Sequence, residues 1–451
     1  STIESVFKLY GFMPLETPAM EQLDTLTGKY GDEGDKLLFK ILNSGDYLNK
    51  FIFTYEEIDG LIKSRKLQGE VNNWLLNNNL KSWEHTKQIS EKGLRYDLTV
   101  PFARFVAMNR NDIVFPFKRY QMQPVWRADR PQRGRYREFW QCDADVVGSD
   151  SLLHEADLLS IYYKVFKTLN IPVSILLNNR KLLEGFAELM GASDNFITFT
   201  VALDKLDKTS WDAVEKEMSD NGIDTSKLSQ IKPLLVPAPL TLNRINEIES
   251  MIGHTAIGAK GIAEIKSVLG FLENNEALNS IVLDGTLARG LSYYTGCIVE
   301  VKPLNIIMGS LGGGGRYDNL TGNFGLKGVS GVGISFGADR IYDVLEELKL
   351  FPDENINFAD ILFCPMEEKG IGYCLPAAEL MRKNNIKTEI YPSPAKLAKQ
   401  LDYANKKGIL FAAIAGDSEI ENNTFMLKDL TSGEQFAAST DQILNKLSDK
   451  I

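Results

Sequence analysis

The residues from Arg127 to Asp145 read RADRPQRGRYREFWQCDAD, with Arg127, Arg130, Arg133, Arg135 and Arg137 set around Pro131 and Gly134. Guanidinium groups stay charged throughout the physiological range and grip phosphate oxygens two at a time, so this spacing suits a polyanion. Proline and glycine inside the run mark a tight loop, and the alternation beyond it marks a second strand from Arg137 onward. The segment reads as a hairpin with a basic tip; a solvated hairpin whose arginines bind nothing is the plainer alternative. Alternation puts Arg137, Phe139, Gln141, Asp143 and Asp145 on one face, and Glu138, Trp140, Cys142 and Ala144 on the other. A face covered by helices would need a partner for each of those polar groups. An open ligand site is favoured over core packing.

Three other segments carry chemistry. Arg95-Tyr96-Asp97-Leu98-Thr99 sets a carboxylate beside a hydroxyl where a strand gives way to a helix. Asp97 either binds an ammonium group or caps the helix, and the residues alone do not choose. In LARGLSYYTG (287–296), Arg289 stands alone in an otherwise apolar strand. An unpaired guanidinium is costly to bury there and should face an anion. By spacing alone, Tyr293 and Tyr294 read as core residues with their hydroxyls at the rim. In GVGISFGADR (331–340), Val332, Ile334 and Phe336 form an apolar face and Gly331, Gly333 and Ser335 a flat one. A flat floor with Arg340 above it, in the first turn of the next helix, suits a purine. Tight strand–helix packing would explain the same glycines. The run Gly312–Gly315 lacks the Gly-Lys-Ser/Thr of a phosphate loop.

The elements that must position these groups follow from periodicity. Ser1 to Tyr10 has Ile3, Val6, Phe7 and Tyr10 on one helical face; with no initiator Met and an apparent start in mid-helix, it implies missing N-terminal residues. Residues 37–55 read as two strands about a turn, 56–90 as a polar surface excursion, and Thr99-Val100-Pro101 as a helix start. A helix over 151–169 follows the hairpin, and 185–280 is mostly helical. Strands return at 281–301, at 305–311 ahead of the glycine run, and at 329–350 with a helix. Beyond Phe351-Pro352-Asp353, strand and helix alternate, which predicts a separate small α/β domain over 357–451.

Composition narrows the functional classes. At 451 residues the chain needs two or three cores. A net charge of −10 argues against nonspecific coating of nucleic acid, but not against local basic patches. Screening confines electrostatic attraction to about 8–10 Å. No apolar run spans a bilayer, no signal peptide opens the chain, and the four scattered cysteines show no zinc spacing, which points to a reducing cytoplasm and no metal site of the protein's own. Only three histidines are present, so catalysis should work by positioning and charge rather than by a histidine base.

Together these segments resemble the histidyl-tRNA synthetases of the class II aminoacyl-tRNA synthetase group. The hairpin resembles motif 2, GVGISFGADRI motif 3, and the opening helix with Tyr10-Gly11-Phe12 and Pro18 a truncated motif 1; ARGLSYYTG and GGGGRYDNL resemble two histidine-specific segments. The resemblance implies an α+β fold. Residues 1–184 and 281–351 would form an antiparallel-sheet catalytic domain, 185–280 a helical insertion, and 357–451 an anticodon-binding domain. It implies ATP-dependent ligation of L-histidine to tRNA(His) through a histidyl-adenylate, with Mg²⁺ accompanying ATP, no prosthetic group, and a homodimer. By the same resemblance Arg127 and Arg289 would be catalytic at the α-phosphate, with Phe139 and Arg340 sandwiching the adenine. Asp97, Thr99 and Gln141 would take the amino end of histidine and Asp145 would sit by the substrate. Tyr293, Tyr294 and Tyr317 would line the imidazole pocket. Arg130, Gln132, Arg133 and Arg135 would approach the tRNA acceptor end, and Lys396, Lys399, Lys406 and Lys407 offer a basic footprint toward the anticodon, or simply a solvated helix.

Ser292 departs from the family, which usually has Asp or Asn there. Two other kinds of protein share part of this pattern. The regulatory subunit of ATP phosphoribosyltransferase shares the catalytic fold but lacks the last domain and has an eroded site. A tRNA-sensing module would have lost the ATP-contacting arginines. Residues 357–451 are present here, and Arg127, Gln141, Arg289 and Arg340 are intact.

Overall fold

The computed structural model describes residues 1–45, 86, 89–207, 209–288, 293–351 and 359–448. It divides into two compact units, Ser1–Leu350 and Phe351–Ile451.

The larger unit is built on a nine-stranded sheet. Its strands are β1 (Met13–Pro14), β2 (Phe117–Trp126), β3 (Glu138–Val147), β4 (Val173–Asn179), β5 (Ala238–Pro239), β6 (Ile281–Leu283), β7 (Cys297–Pro303), β8 (Gly312–Arg316) and β9 (Gly331–Gly337). Their spatial order is β1-β2-β3-β9-β8-β7-β4-β6-β5. Pairing is antiparallel from β2 through β4, and parallel only between β1 and β2 and between β4 and β6.

One face of this sheet is core. Val332, Ile334 and Phe336 of β9 and Cys142 and Ala144 of β3 point into it, as alternation requires. Helix α1 (Thr2–Leu9) lays Ile3, Val6 and Phe7 against the same face, and α3 (Leu153–Thr168) lays Tyr162, Val165 and Phe166 there. Phe336 is the hinge of the cluster, edge-on to Tyr162 at 4.7 Å and 5.8 Å from Phe7. A buried aromatic of this size is worth about 3–5 kcal/mol when truncated. Ser1 is the N-cap of α1, its hydroxyl accepting from the Glu4 N–H, rather than a residue inside a helix.

The glycine run behaves differently from its sequence reading. No strand covers 305–311; the glycines themselves form β8, pressed between β9 and β7. A Cβ on Gly312 would lie 2.7 Å from the Ser335 carbonyl oxygen and from the Tyr162 ring, and one on Gly315 2.6 Å from the Cys297 carbonyl oxygen. Packing overrides the poor strand propensity of glycine. Of the segment read as strands at 37–55, Lys40–Ile41 is a short strand beside Lys92–Leu94, and 46–55 lie outside the described residues, as does most of the 56–90 excursion. Helices fill most of 185–280, ending in Ala256–Leu272.

The smaller unit has its own five-stranded sheet. Ile361–Pro365 pairs in parallel with Thr388–Ile390 and Phe411–Ala415; Phe425–Asp429 and Gln435–Ala438 add antiparallel strands. Helices pack on both faces, giving two cores around Phe363 and Cys364. All four cysteines are free and buried. Among the described residues, no helix is long and apolar enough to cross a membrane.

Candidate functional site

The other face of the large sheet carries a cleft of about 900 Å³. Its floor is the polar side of β3, where Phe139, Gln141, Asp143 and Asp145 line the cavity in the order alternation requires. Arg137 does not share that face. β3 begins one residue later, and Arg137 is an exposed loop residue donating to the Asp129 carbonyl at 3.2 Å. Neighbouring strands bring Arg119 and Gly333 opposite Asp145, and Gln121 and Ser335 opposite Asp143.

The flat glycine face of β9 is filled by side chains. A Cβ on Gly333 would overlap Asp145 Oδ1, and one on Gly331 would overlap the Tyr317 ring. The two glycines let Asp145 and Tyr317 lie across the sheet, and Tyr317 donates its hydroxyl to Asp145. Arg119, fully buried, holds the other Asp145 oxygen at 2.8 Å. It also donates to Gln121 Oε1 at 3.0 Å and to the Leu98 carbonyl at 3.2 Å, over the Phe102 ring at 4.2 Å. Sequence reasoning missed Arg119 and Gln121. The signal was available: a lone cation in a strand demands an anion, the argument applied to Arg289.

Burial pushes the carboxyl groups of the floor upward. Asp143 rises to about 7, chiefly through burial and then the neighbouring Asp145, with Arg119 opposing. Asp145 is raised by burial against the pull of Arg119 and Tyr317. Asp97 is raised by burial, opposed by the Val100 N–H and by Arg127. Capping does not take Asp97 out of the cleft. It caps helix α2 (Thr99–Met108) by accepting from the Val100 N–H at 3.1 Å, and it lines the cleft, where Tyr30 donates to it at 3.1 Å. Thr99, the first residue of α2, lines the cleft beside it.

Tyr293 and Tyr294 both line the cleft, with ring centroids 4.5 Å apart and hydroxyls 3.4 Å apart. Strand alternation would have put them on opposite sides. Here 293–296 is a turn and bend, so the two rings fall together, and burial raises both hydroxyls. Arg289 and Ser292 lie outside the described residues.

At the other end Arg127 sits between two rings, 4.2 Å from Tyr96 and 5.1 Å from Phe139, its Nε donating to the Tyr96 carbonyl at 3.1 Å. Arg340, in the first turn of α4 (Ala338–Glu347), donates to the Gly134 carbonyl at 2.6 Å and the Ser310 carbonyl at 2.7 Å. It thereby ties the hairpin tip to the segment before β8. Gln132, Arg133 and Arg135 line the mouth of the cleft, while Arg130 is exposed beyond the lining. Arg133 pairs with Glu347, and Arg135 reaches Asp129 at 3.8 Å. Among the described residues no cluster of three His, Cys, Asp or Glu could hold a metal ion. In the smaller unit Lys406 pairs with Asp402 and Lys407 with Glu389, while Lys396 and Lys399 are exposed.

The arrangement is a deep acceptor-rich pocket, able to hold a small cationic molecule, opening to an arginine-rich mouth able to hold phosphates. Comparison with known proteins agrees with it. The family model described as histidyl-tRNA synthetase matches residues 85–341, and one described as an anticodon binding domain matches 360–450. A histidine–tRNA ligase of Azobacteroides pseudotrichonymphae is 50% identical over 444 residues, 98% of this chain and 92% of that one. That of Bacteroides fragilis is 49% identical over 99% of this chain and 94% of its own. Among solved structures, histidyl-tRNA synthetase from Nostoc sp. PCC 7120 superposes with a TM-score of 0.78 at 27% identity, covering 100% of this chain and 94% of its own.

Proposed function

The chain belongs to the histidyl-tRNA synthetase family, and from that membership we propose that it joins L-histidine to tRNA(His) using ATP. The observation that carries this reading is the cleft itself, in which buried carboxylates and tyrosines meet arginines stacked on aromatic rings. A carboxylate oxygen of histidine attacks the α-phosphorus of ATP in line, the bond to pyrophosphate breaks, and histidyl-adenylate forms. A terminal ribose hydroxyl of the tRNA then attacks the adenylate carbonyl and AMP leaves. No protein nucleophile is required, and all four cysteines are buried away from such a role.

In this reading Arg127 and Arg289 neutralise charge at the α-phosphate, and Phe139 and Arg340 enclose the adenine. Fixed guanidinium groups suit a transition state that gathers negative charge, because they need no reorganisation as it forms. Asp97, Thr99 and Gln141 take the amino end of histidine, and Asp145 with Tyr293, Tyr294 and Tyr317 surrounds the imidazole. Arg130, Gln132, Arg133 and Arg135 meet the tRNA acceptor end, the unit from Phe351 onward meets the anticodon, and the enzyme is a homodimer of the cytoplasm. Residues 1–184 and 281–351 are its catalytic domain and 185–280 the inserted helical domain.

The family is ATP-dependent and generally needs a divalent metal. The cleft offers the buried Glu300 but no carboxylate cage among the described residues. Mg²⁺, which keeps several waters and favours phosphate oxygens, fits such a site by arriving with the nucleotide. When bound it would supply further charge neutralisation at the phosphates.

A structure from Bacillus halodurans described as an ATP phosphoribosyltransferase regulatory subunit/histidyl-tRNA synthetase also matches, with a TM-score of 0.68. At 18% identity it speaks to the fold alone. ATP–pyrophosphate exchange separates enzyme from non-catalytic relative. Exchange that requires histidine is the expected result; exchange absent at every histidine concentration would end the proposal.

A further inference from the structure

Asp143 lies on the cleft floor between Gln141 and Asp145, and none of the roles above uses it. It is 2% exposed, yet its Oδ1 has no hydrogen-bond partner. A buried acceptor left without a donor keeps its desolvation penalty uncompensated, so its place on a cavity wall calls for a donor from a ligand. Gln141, its neighbour on the same face, gives its amide N–H to Ser335 at 3.2 Å and leaves Oε1 equally unpartnered. Asp97 supplies a third acceptor, since its hydrogen bonds from Tyr30 and Val100 both go to Oδ1. Asp145 is in a different condition: its Oδ1 accepts from Tyr317, and its Oδ2, without an aligned hydrogen bond, is paired with the Arg119 guanidinium at 2.8 Å. A neutral imidazole has one N–H to give, whereas an ammonium has three and a positive charge. Only the ammonium matches several open acceptors, two of them carboxylates.

Resting on the reading of this cleft as a histidine site, we propose that Asp143 binds the substrate's α-ammonium, completing a three-acceptor cradle with Asp97 and Gln141. Burial and the nearby Asp145 already hold the Asp143 carboxyl near neutrality, and a cation seated against it favours the ionised form. The substrate thus adds a positive charge on the open side of Asp143, where Arg119, engaged with Asp145, does not reach its Oδ1.

Two competitive inhibitors separate the ammonium from the rest of the molecule. L-histidinol keeps the ammonium and imidazole but has no carboxylate; 3-(imidazol-4-yl)propionate keeps the imidazole and carboxylate but has no ammonium. Asp143→Asn keeps the size of the side chain and removes its charge. The variant should bind histidinol about tenfold or more weakly, the usual scale for a hydrogen bond to a charged group, while the propionate and ATP bind as in the parent protein. Equal weakening of both inhibitors, weakening of the propionate alone, or no change in either would overturn the proposal. Should Asp143→Asn fail to fold, Asp143→Ser on the same floor is put through the same comparison. Failure of the broader reading would look different: the parent protein would bind neither inhibitor and show no histidine-dependent exchange.

Discussion

At the inner end of the cleft Arg119 is fully buried and holds Asp145 at 2.8 Å; at its mouth Arg133 is 64% exposed and leans on Glu347. Both are arginine–carboxylate pairs, yet their surroundings give them opposite properties. Removing one partner of a buried pair strands the other charge and costs about 3–5 kcal/mol, whereas an exposed pair is worth about 0–1 kcal/mol. The interior is therefore fixed in advance and indifferent to salt. The mouth can exchange Glu347 for a phosphate at little cost. One chemistry placed at two depths thus gives a rigid interior and an adaptable mouth, which suits the proposed roles of holding a small molecule and gripping a polyanion.

The sharpest way to break this contrast is Arg119→Met. It leaves Asp143 and Asp145 without their cation, and a loss of about 3–5 kcal/mol in denaturant unfolding is expected. A variant as stable as the parent would show that the interior is not organised around this guanidinium. Arg127→Ala comes next. Its side chain rests on two rings and one carbonyl, so the fold should survive, while pyrophosphate exchange drops by about 10²–10³ fold. An exchange rate within a few fold of the parent would remove Arg127 from the chemistry.

Asp143 gives a pH test of intermediate size. Well below pH 4 the carboxyl is protonated in both native and unfolded chains and makes no difference. As pH climbs toward 7 the unfolded chain ionises while the native carboxyl, held up to about 7, stays protonated, so stability is lost across that window. Asp143→Asn does not titrate. Its stability relative to the parent should rise by on the order of 4 kcal/mol between pH 4 and pH 8 and then level off. A difference that stays flat with pH would mean the native carboxyl is not held up. The smallest effect belongs to Arg133→Ala, which should change stability by less than about 1 kcal/mol. Aminoacylation should show a raised KM for tRNA at low salt, converging with the parent as salt rises. A loss that persists undiminished in high salt would place Arg133 among the fixed groups instead.

Much of this was legible in the chain, for identifiable reasons. The floor formed by Phe139, Gln141, Asp143 and Asp145 follows from a period of two, which any strand obeys. The small domain follows from alternating strands and helices after Pro352. Asp97 could not be assigned from spacing, because capping and lining are both true of it. The tyrosine pair was not settled by spacing, which reads Tyr293 and Tyr294 as core, whereas the turn at 293–296 brings both rings to the cleft. Arg119 went unnoticed because its strand was read only as the approach to the arginine loop. The strand was expected at 305–311, ahead of the glycines and not on them, because glycine propensity is local, while the pressure that makes β8 a strand comes from β7 and β9.

That bare strand also constrains which sequences can descend from this one. At Gly312, Gly314 and Gly315 a methyl group would strike backbone, so folding itself rejects any replacement. Gly313 differs: the nearest atom to a methyl there is the Val299 carbonyl oxygen at 3.3 Å, and the residue faces the cleft. The protein leaves that volume open, and whatever occupies the cleft decides whether it can be filled. Drift at three of these positions is closed by architecture and at the fourth by the ligand, so Gly313→Ala distinguishes selection for catalysis from selection for folding within four consecutive residues.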